Sequence, residues 1–187
     1  MTQRLKRPIR ITFDGSDCCL IPLSQGKFAV IDVSDLALVV TFNWHARHTH
    51  NSWYATRSDD NNIHLHNVIL PRRQRFVADH RNGDGLDNRR SNLRYATLSQ
   101  NQQNRIYIGN GRRKTSRYRG VFWHGKARKW GAGFMLNQHN NYLGVFVKET
   151  DAAKAYDKAV QKHFGEFARL NFPPKNARSQ AAGASQH

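Results

Sequence analysis

The segment "RYRGVFWHGKARKWGAGFMLNQHNNYLGVFVKETDAAKAYDKAVQKHFG" (117–165) constrains the fold more than any other part of the chain. Its runs "RYRGVFWHG", "KWGAGFMLNQ" and "NNYLGVFV" are aromatic-rich and separated by short polar turns, which predicts three strands. The next run predicts a helix, with Thr150 as N-cap, Asp151 in the first turn and Gly165 at the stop. Helical spacing puts Ala152, Ala153, Tyr156, Ala159, Val160 and Phe164 on one face. That face is mostly alanine, so the helix is expected to lie close against the strands.

Charge narrows the partners. The chain sets 30 Lys and Arg against 13 Asp and Glu, a formal charge of +17, which favours polyanions. From Asn88 to Lys148 there is no Asp or Glu, while Arg and Lys recur. A solvated face normally mixes both signs, so this span favours a phosphate-tracking surface; a merely soluble basic surface is the plainer alternative. The sequence carries no long apolar run, no basic amphipathic helix at either end and no lipidation signal, so no membrane partner is expected. The first residues lack the apolar stretch of a secretory signal. Cys18 and Cys19 are adjacent and do not suit a mutual disulfide. A cytoplasmic protein is expected.

A length of 187 residues allows one ordinary domain or two small ones. Residues 9–57 read as strands and turns around one short helix: "RITFDGSDCCLIPL" and "GKFAVID" as strands, "VSDLALVVTF" as a helix capped by Ser34 or a strand. "NWHARHTHNSWYATR" suggests a hairpin carrying Trp44, Trp53 and Tyr54 inward, and "IHLHNVIL" is strand or helix, ended by Pro71. The glycine-bearing basic stretch "IYIGNGRRKTS" (106–116) has a linker's composition. The expected organisation is α+β: residues 1–105 as one domain with a β-rich extension, 106–116 as linker, 117–173 as a three-stranded antiparallel sheet on one helix, and 174–187 as a disordered tail.

Residues 77–105, "VADHRNGDGLDNRRSNLRYATLSQNQQNR", read as strand, turn-rich loop, second strand and helix, with Ser99 and Gln102 fitting a capping box. The ordered set Asp79-His80, Asn92, Asn101 resembles the HNH endonucleases, most closely the phage and intron-homing branch. The resemblance covers roughly residues 20–105 and extends to "HLHNVIL", which puts His66 at a family histidine, although Asn67 replaces the usual arginine there. It implies a ββα-metal unit that hydrolyses DNA phosphodiesters. His80 would be the general base, Asn92 would orient the His80 ring or pin the loop, and His66 and Arg105 would assist, Arg105 at a phosphate. Asp79 and Asn101 would supply hard oxygen ligands to one Mg²⁺, with Mn²⁺ a substitute. Neighbouring strand residues point to opposite faces, so Asp79 and His80 can share a site only at the strand's end. Turn chemistry alone also accounts for "NGDGLDN". A calcium loop lacks its acidic order, and His45, His48 and His50 lack cysteine partners for a zinc site.

The second segment, through "YRGV", "KW", "YLGVF", "AAKAYDKAV" and "GEFARLNFP", resembles the APETALA-type, or ethylene-response-factor, DNA-binding domain. The resemblance implies a sheet facing the major groove. Arg119, Trp123, Arg128 and Trp130 would face DNA, and Arg117, Lys126 and Lys129 would meet phosphates. Phe122, Met135 and Asn140 stand near places where plant members carry arginines, and Tyr142 replaces a tryptophan, so guanine readout would lose several forks. Trp123 and Trp130 read equally well as core. The combined expectation is a site-specific nicking endonuclease acting on double-stranded DNA, a monomer or weak dimer with no protein partner implied. The alternatives are an inactive DNA-binding regulator and an RNA-binding or RNA-processing protein, although no RNP-type pattern is present.

Overall fold

Three runs of β-forming residues open the computed structural model as a meander: β1 (Ile9–Phe13), β2 (Ser16–Pro22) and β3 (Phe28–Asp32), paired antiparallel in the order β1-β2-β3. The structure describes residues 7–13, 15–49, 52–57, 62–104, 115–136 and 139–174. His50, Arg105, all but the last two residues of the expected linker 106–116, and all but the first residue of the expected tail 174–187 lie outside them. Contacts divide the chain into two compact units, Met1–Thr97 and Leu98–His187. The division falls ahead of residues 98–104 rather than within 106–116.

In the first unit, residues 33–35 form a 3-10 turn leading into a four-residue helix α1 (Leu36–Val39). The expected cap at Ser34 is not made: Asp32 and Asp35 stand at the caps, without side-chain cap bonds. Then β4 (His45–Thr49), β5 (Ser52–Arg57) and β6 (Ile63–His64) form a second antiparallel sheet, and the ambiguous "HLHNVIL" resolves into the end of β6 followed by α2 (Leu65–Ile69). The hairpin β7 (Val77–His80) and β8 (Leu93–Ala96) completes the unit. Its core joins Cys19, Ile21, Ile31, Val39, Trp44, Leu65 and Ile69, all 4 % exposed or less. Trp44 is buried as expected, and its indole donates to the Val39 carbonyl at 3.0 Å. Trp53 and Tyr54 are only half-buried; Ala46 and Ala55 are the inward residues of that hairpin.

The second unit contains α3 (Leu98–Asn104), the sheet β9 (Val121–His124), β10 (Lys129–Leu136) and β11 (His139–Phe146), and α4 (Glu149–Phe164). The sheet is antiparallel in the order β11-β10-β9, with a bulge at Ala132/Gly133. Ala152 and Ala153 meet Val121 and Ala132 at one end of α4, while Tyr156, Val160 and Phe164 surround Phe134 at the other. Burying each of these large side chains contributes about 1.5–3 kcal/mol. The helix begins one residue before the expected cap: Lys148, not Thr150, is at the N-cap, without a side-chain bond, and Ser99 likewise falls inside α3. Buried Asp157 of α4 accepts from the Asn171 and Phe172 backbone amides at 2.8 Å each, and Asn171 in turn accepts from the Arg119 amide at 2.7 Å. This clasp ties the segment after the helix to the entry of the sheet.

Gly120 is where the sheet and helix come closest. Its φ is +72°, and a Cβ there would run into the Tyr156 ring and approach the Gly133 carbonyl at 2.8 Å. Gly120→Ala is expected to destabilise the second unit by about 2–4 kcal/mol through left-handed strain and overpacking. Gly125→Ala, with nothing within 4 Å of its Cβ, should stay close to wild type. Urea unfolding of both variants checks the pair.

Candidate nucleic-acid interface

Period-two alternation sorts the strands of the second unit into two faces. Val121, Ala132 and Phe134 point to α4. The partner rows between them point away: Phe122, Gly131 and Val145 form one row, Gly133 and Tyr142 the next, Met135 and Asn140 a third. This outer face is open, with Phe122 38 %, Val145 39 %, Met135 52 % and Tyr142 55 % exposed. Gly131 lies under the Phe122 ring, which a Cβ on it would meet at 2.5 Å; only a glycine lets that ring lie over β10. The strands of the sheet bear no acidic residue.

The residues expected to contact DNA occupy different places. Lys126, Arg128 and Lys129 are exposed at the β9–β10 turn, where Arg128 takes a φ of 49°. Arg117 is exposed and its guanidinium lies against Tyr118, donating to the phenol oxygen at 3.0 Å. Arg119 is held from within its own unit: its guanidinium reaches the Gln102 carbonyl at 3.4 Å and also bonds the Tyr156 phenol. Trp123 pairs with Trp130, and Trp130 with Phe146, a row on the α4 side of the sheet. Trp130 packs against the alanine-lined core, and the two indoles meet edge to face with centroids 5.1 Å apart. Counting alternate residues from Val121 already separates Phe122 from Trp123, and that parity is the signal that finds the outer face.

In the first unit, β7 ends at His80, so the Asp79-His80 pair does lie at a strand end. The two side chains are nevertheless engaged apart. The Asp79 carboxylate accepts from Arg94 Nε, its cross-strand partner, at 2.7 Å, with both side chains buried. His80 Nε2 lies 3.3 Å from Asn88 Oδ1, and Asn88 is fully buried. Asn92 pins the loop: its Oδ1 accepts from the Asn82 amide at 3.0 Å, and its Nδ2 donates to the Asp87 carbonyl at 2.7 Å. Asp87 also takes a two-pronged bond from Arg89, both at 2.8 Å, and Asn88 N donates to Val30 O, docking the loop beside β3. Asn88, Asp87, Arg89 and Arg94 were hidden in the sequence behind the more conspicuous Asp-His pair. Asn101 lies on α3, which groups with the second unit. A cation at Asp79 would have to compete with a buried guanidinium, and among the described residues no group of three or more His, Cys, Asp or Glu is disposed to hold a metal ion.

His66 belongs to an aromatic cluster. It stacks on His64 with centroids 5.0 Å apart and meets His80 edge to face at 5.1 Å, while Tyr54 touches all three rings. Burial is the leading cause that lowers all three imidazoles from their ordinary value, His66 furthest, and charge repulsion from its neighbours adds to this for His66 and His64. Burial thus favours the uncharged form of all three rings.

No family model matches the chain. It is similar to APETALA2-like protein 2 of Oryza sativa subsp. indica, 42 % identical over 64 residues, which are 33 % of this chain and 14 % of the rice protein. It is also similar to two Arabidopsis thaliana proteins, the AP2-like ethylene-responsive transcription factors AIL5 (38 % over 80 residues, 42 % of this chain and 14 % of that protein) and PLT2 (38 % over 76 residues, 40 % and 13 %). The chain thus spans about one seventh of the length of the curated relatives it matches. The two Arabidopsis relatives are named as transcription factors, and that finding overturns the expectation of a metal-dependent homing endonuclease of phage type. In the structure Asp79 is held in an ion pair with Arg94, and Asn92 pins the loop, the second of the two roles expected for it. Among the described residues no helix is long and apolar enough to cross a membrane.

Two outcomes follow from that structural role. Asp79→Ala leaves Arg94 without its buried carboxylate and is expected to cost the first unit about 3–5 kcal/mol, read by chemical denaturation. The histidines, lowered in the folded state, let the unfolded chain bind more protons below its ordinary imidazole pKa of about 6.5, so stability falls as pH drops through that value. Thermal unfolding from pH 7.5 to 5 should show this decline, and His66→Phe should flatten it.

Proposed function

We propose that the protein is a DNA-binding regulator that grips duplex DNA with the outer face of its C-terminal three-stranded sheet. The relatives match 64–80 residues of the chain, and the sheet-on-helix arrangement of the second unit suits an APETALA-type domain. The observation that carries the reading is the open outer face of β9–β11, in strands without acidic residues and bordered by Lys126, Arg128 and Lys129, together with relatives that are transcription factors. Polyanion attraction from a +17 chain supplies affinity. Lys126, Arg128, Lys129 and Arg117 are the phosphate contacts in this reading. Arg119 and Trp130 serve to build the sheet that presents them.

Fluorescence anisotropy of the full chain on duplex DNA across a salt series tests it. With roughly 6 to 10 phosphate contacts, affinity should fall about 10³–10⁵-fold between 50 and 200 mM salt. Replacing Lys126, Arg128 and Lys129 together by Ala should lower the slope of log K against log salt by about 2.7. An affinity indifferent to salt, or a slope unchanged in the triple variant, would remove the basis for this assignment.

A further inference from the structure

The outer face tells which bases such an interface would read. Beyond the Lys129–His124 row beside the turn, three rows hold Phe122 over Gly131 with Val145, then Tyr142 beside Gly133, then Met135 beside Asn140. No arginine stands in these rows, so the fork that reads guanine O6 and N7 is missing from the centre of the face. What the rows offer is exposed apolar surface from Phe122, Val145 and Met135, and one exposed carboxamide, Asn140, whose side chain makes no hydrogen bond among the described residues. In the major groove, apolar side chains suit the thymine methyl, and an asparagine amide suits adenine N6 and N7. Both contacts select the same base pair.

We propose that the C-terminal sheet is an A·T reader, with Phe122, Met135 and Val145 against thymine methyl groups and Asn140 on adenine. The proposal rests on the DNA-binding reading above and names its specificity. The occupant is duplex DNA rather than an apolar protein surface because the apolar rows sit in strands free of carboxylates and beside the basic β9–β10 turn. The positive rim and the apolar centre divide the work: lysine and arginine hold phosphates without regard to sequence, and the centre discriminates.

The test is selection of the full chain on duplexes with a randomised core, followed by affinity measurements on the selected site. The expected result is an A·T-rich site in which replacing contacted thymines by uracil weakens binding about fourfold per methyl lost. Asn140→Ala should lose roughly 5- to 150-fold on that site while its affinity for unrelated duplex stays unchanged. Asn140 is exposed and outside the core, so this variant folds normally; Phe122→Ala provides a second reading of the face. A G·C-rich site, no enrichment at all, or indifference to uracil overturns the A·T proposal and leaves DNA binding standing. Sensitivity to uracil that neither variant alters also overturns it, because the discrimination would then lie elsewhere in the chain. Failure to bind any duplex at low salt overturns the DNA-binding reading itself.

Discussion

The close approach of α4 to its sheet governs what the second unit can present. Ala152 and Ala153 have no bulk beyond Cβ, so the helix settles directly onto Val121 and Ala132, and Gly120 admits the Tyr156 ring. That contact consumes one face of a sheet only three strands wide. By the alternation of the strand, every residue between the buried ones is committed to the other face. The open platform of Phe122, Met135, Tyr142 and Val145 is therefore a consequence of how the alanines pack. The Asp157–Asn171 clasp then ties residues 171 and 172 to α4.

The first unit shows the same residue types serving two chemistries. Asp, Asn, His and Arg in quick succession suit a hydrolytic site, and they equally suit a long loop that must satisfy its own backbone. Here the loop's Asn and Asp side chains do the latter. Asn82, Asp84, Asp87 and Asn92 bond the loop's own amides and carbonyls, and Arg90 crosses to Asp32 and buried Asp35. The spacing of polar residues along a sequence does not distinguish these uses, because what decides is whether an oxygen points at a backbone amide or into a cleft. Asp79 illustrates the point: its choice of Arg94 depends on a cross-strand register that the linear order does not display.

Much of the architecture was legible from local patterning, since strand alternation, turn residues and helical spacing are short-range properties. The meander, the hairpins and α4 follow them. Cap positions were less legible: Thr150 and Ser99 are good capping residues, yet helices start before them because packing extends each helix by a residue or more. Trp123 and Trp130 illustrate a different limit. Exposed aromatics and core aromatics look alike in a row: Trp130, paired with Phe146, packs against the core, while Trp123 beside it stays 43 % exposed.

By itself the sequence determined a basic chain, an acid-free span from Asn88 to Lys148, and three strands followed by an alanine-faced helix. These depend only on composition and on periods of two and 3.6 residues. The tertiary structure alone decided which sheet face is covered, which carboxylates are held by guanidinium groups, and that His64, His66 and His80 form one buried cluster with Tyr54. Those outcomes join residues far apart in the chain, and only packing in three dimensions sets their distances and the solvent they lose.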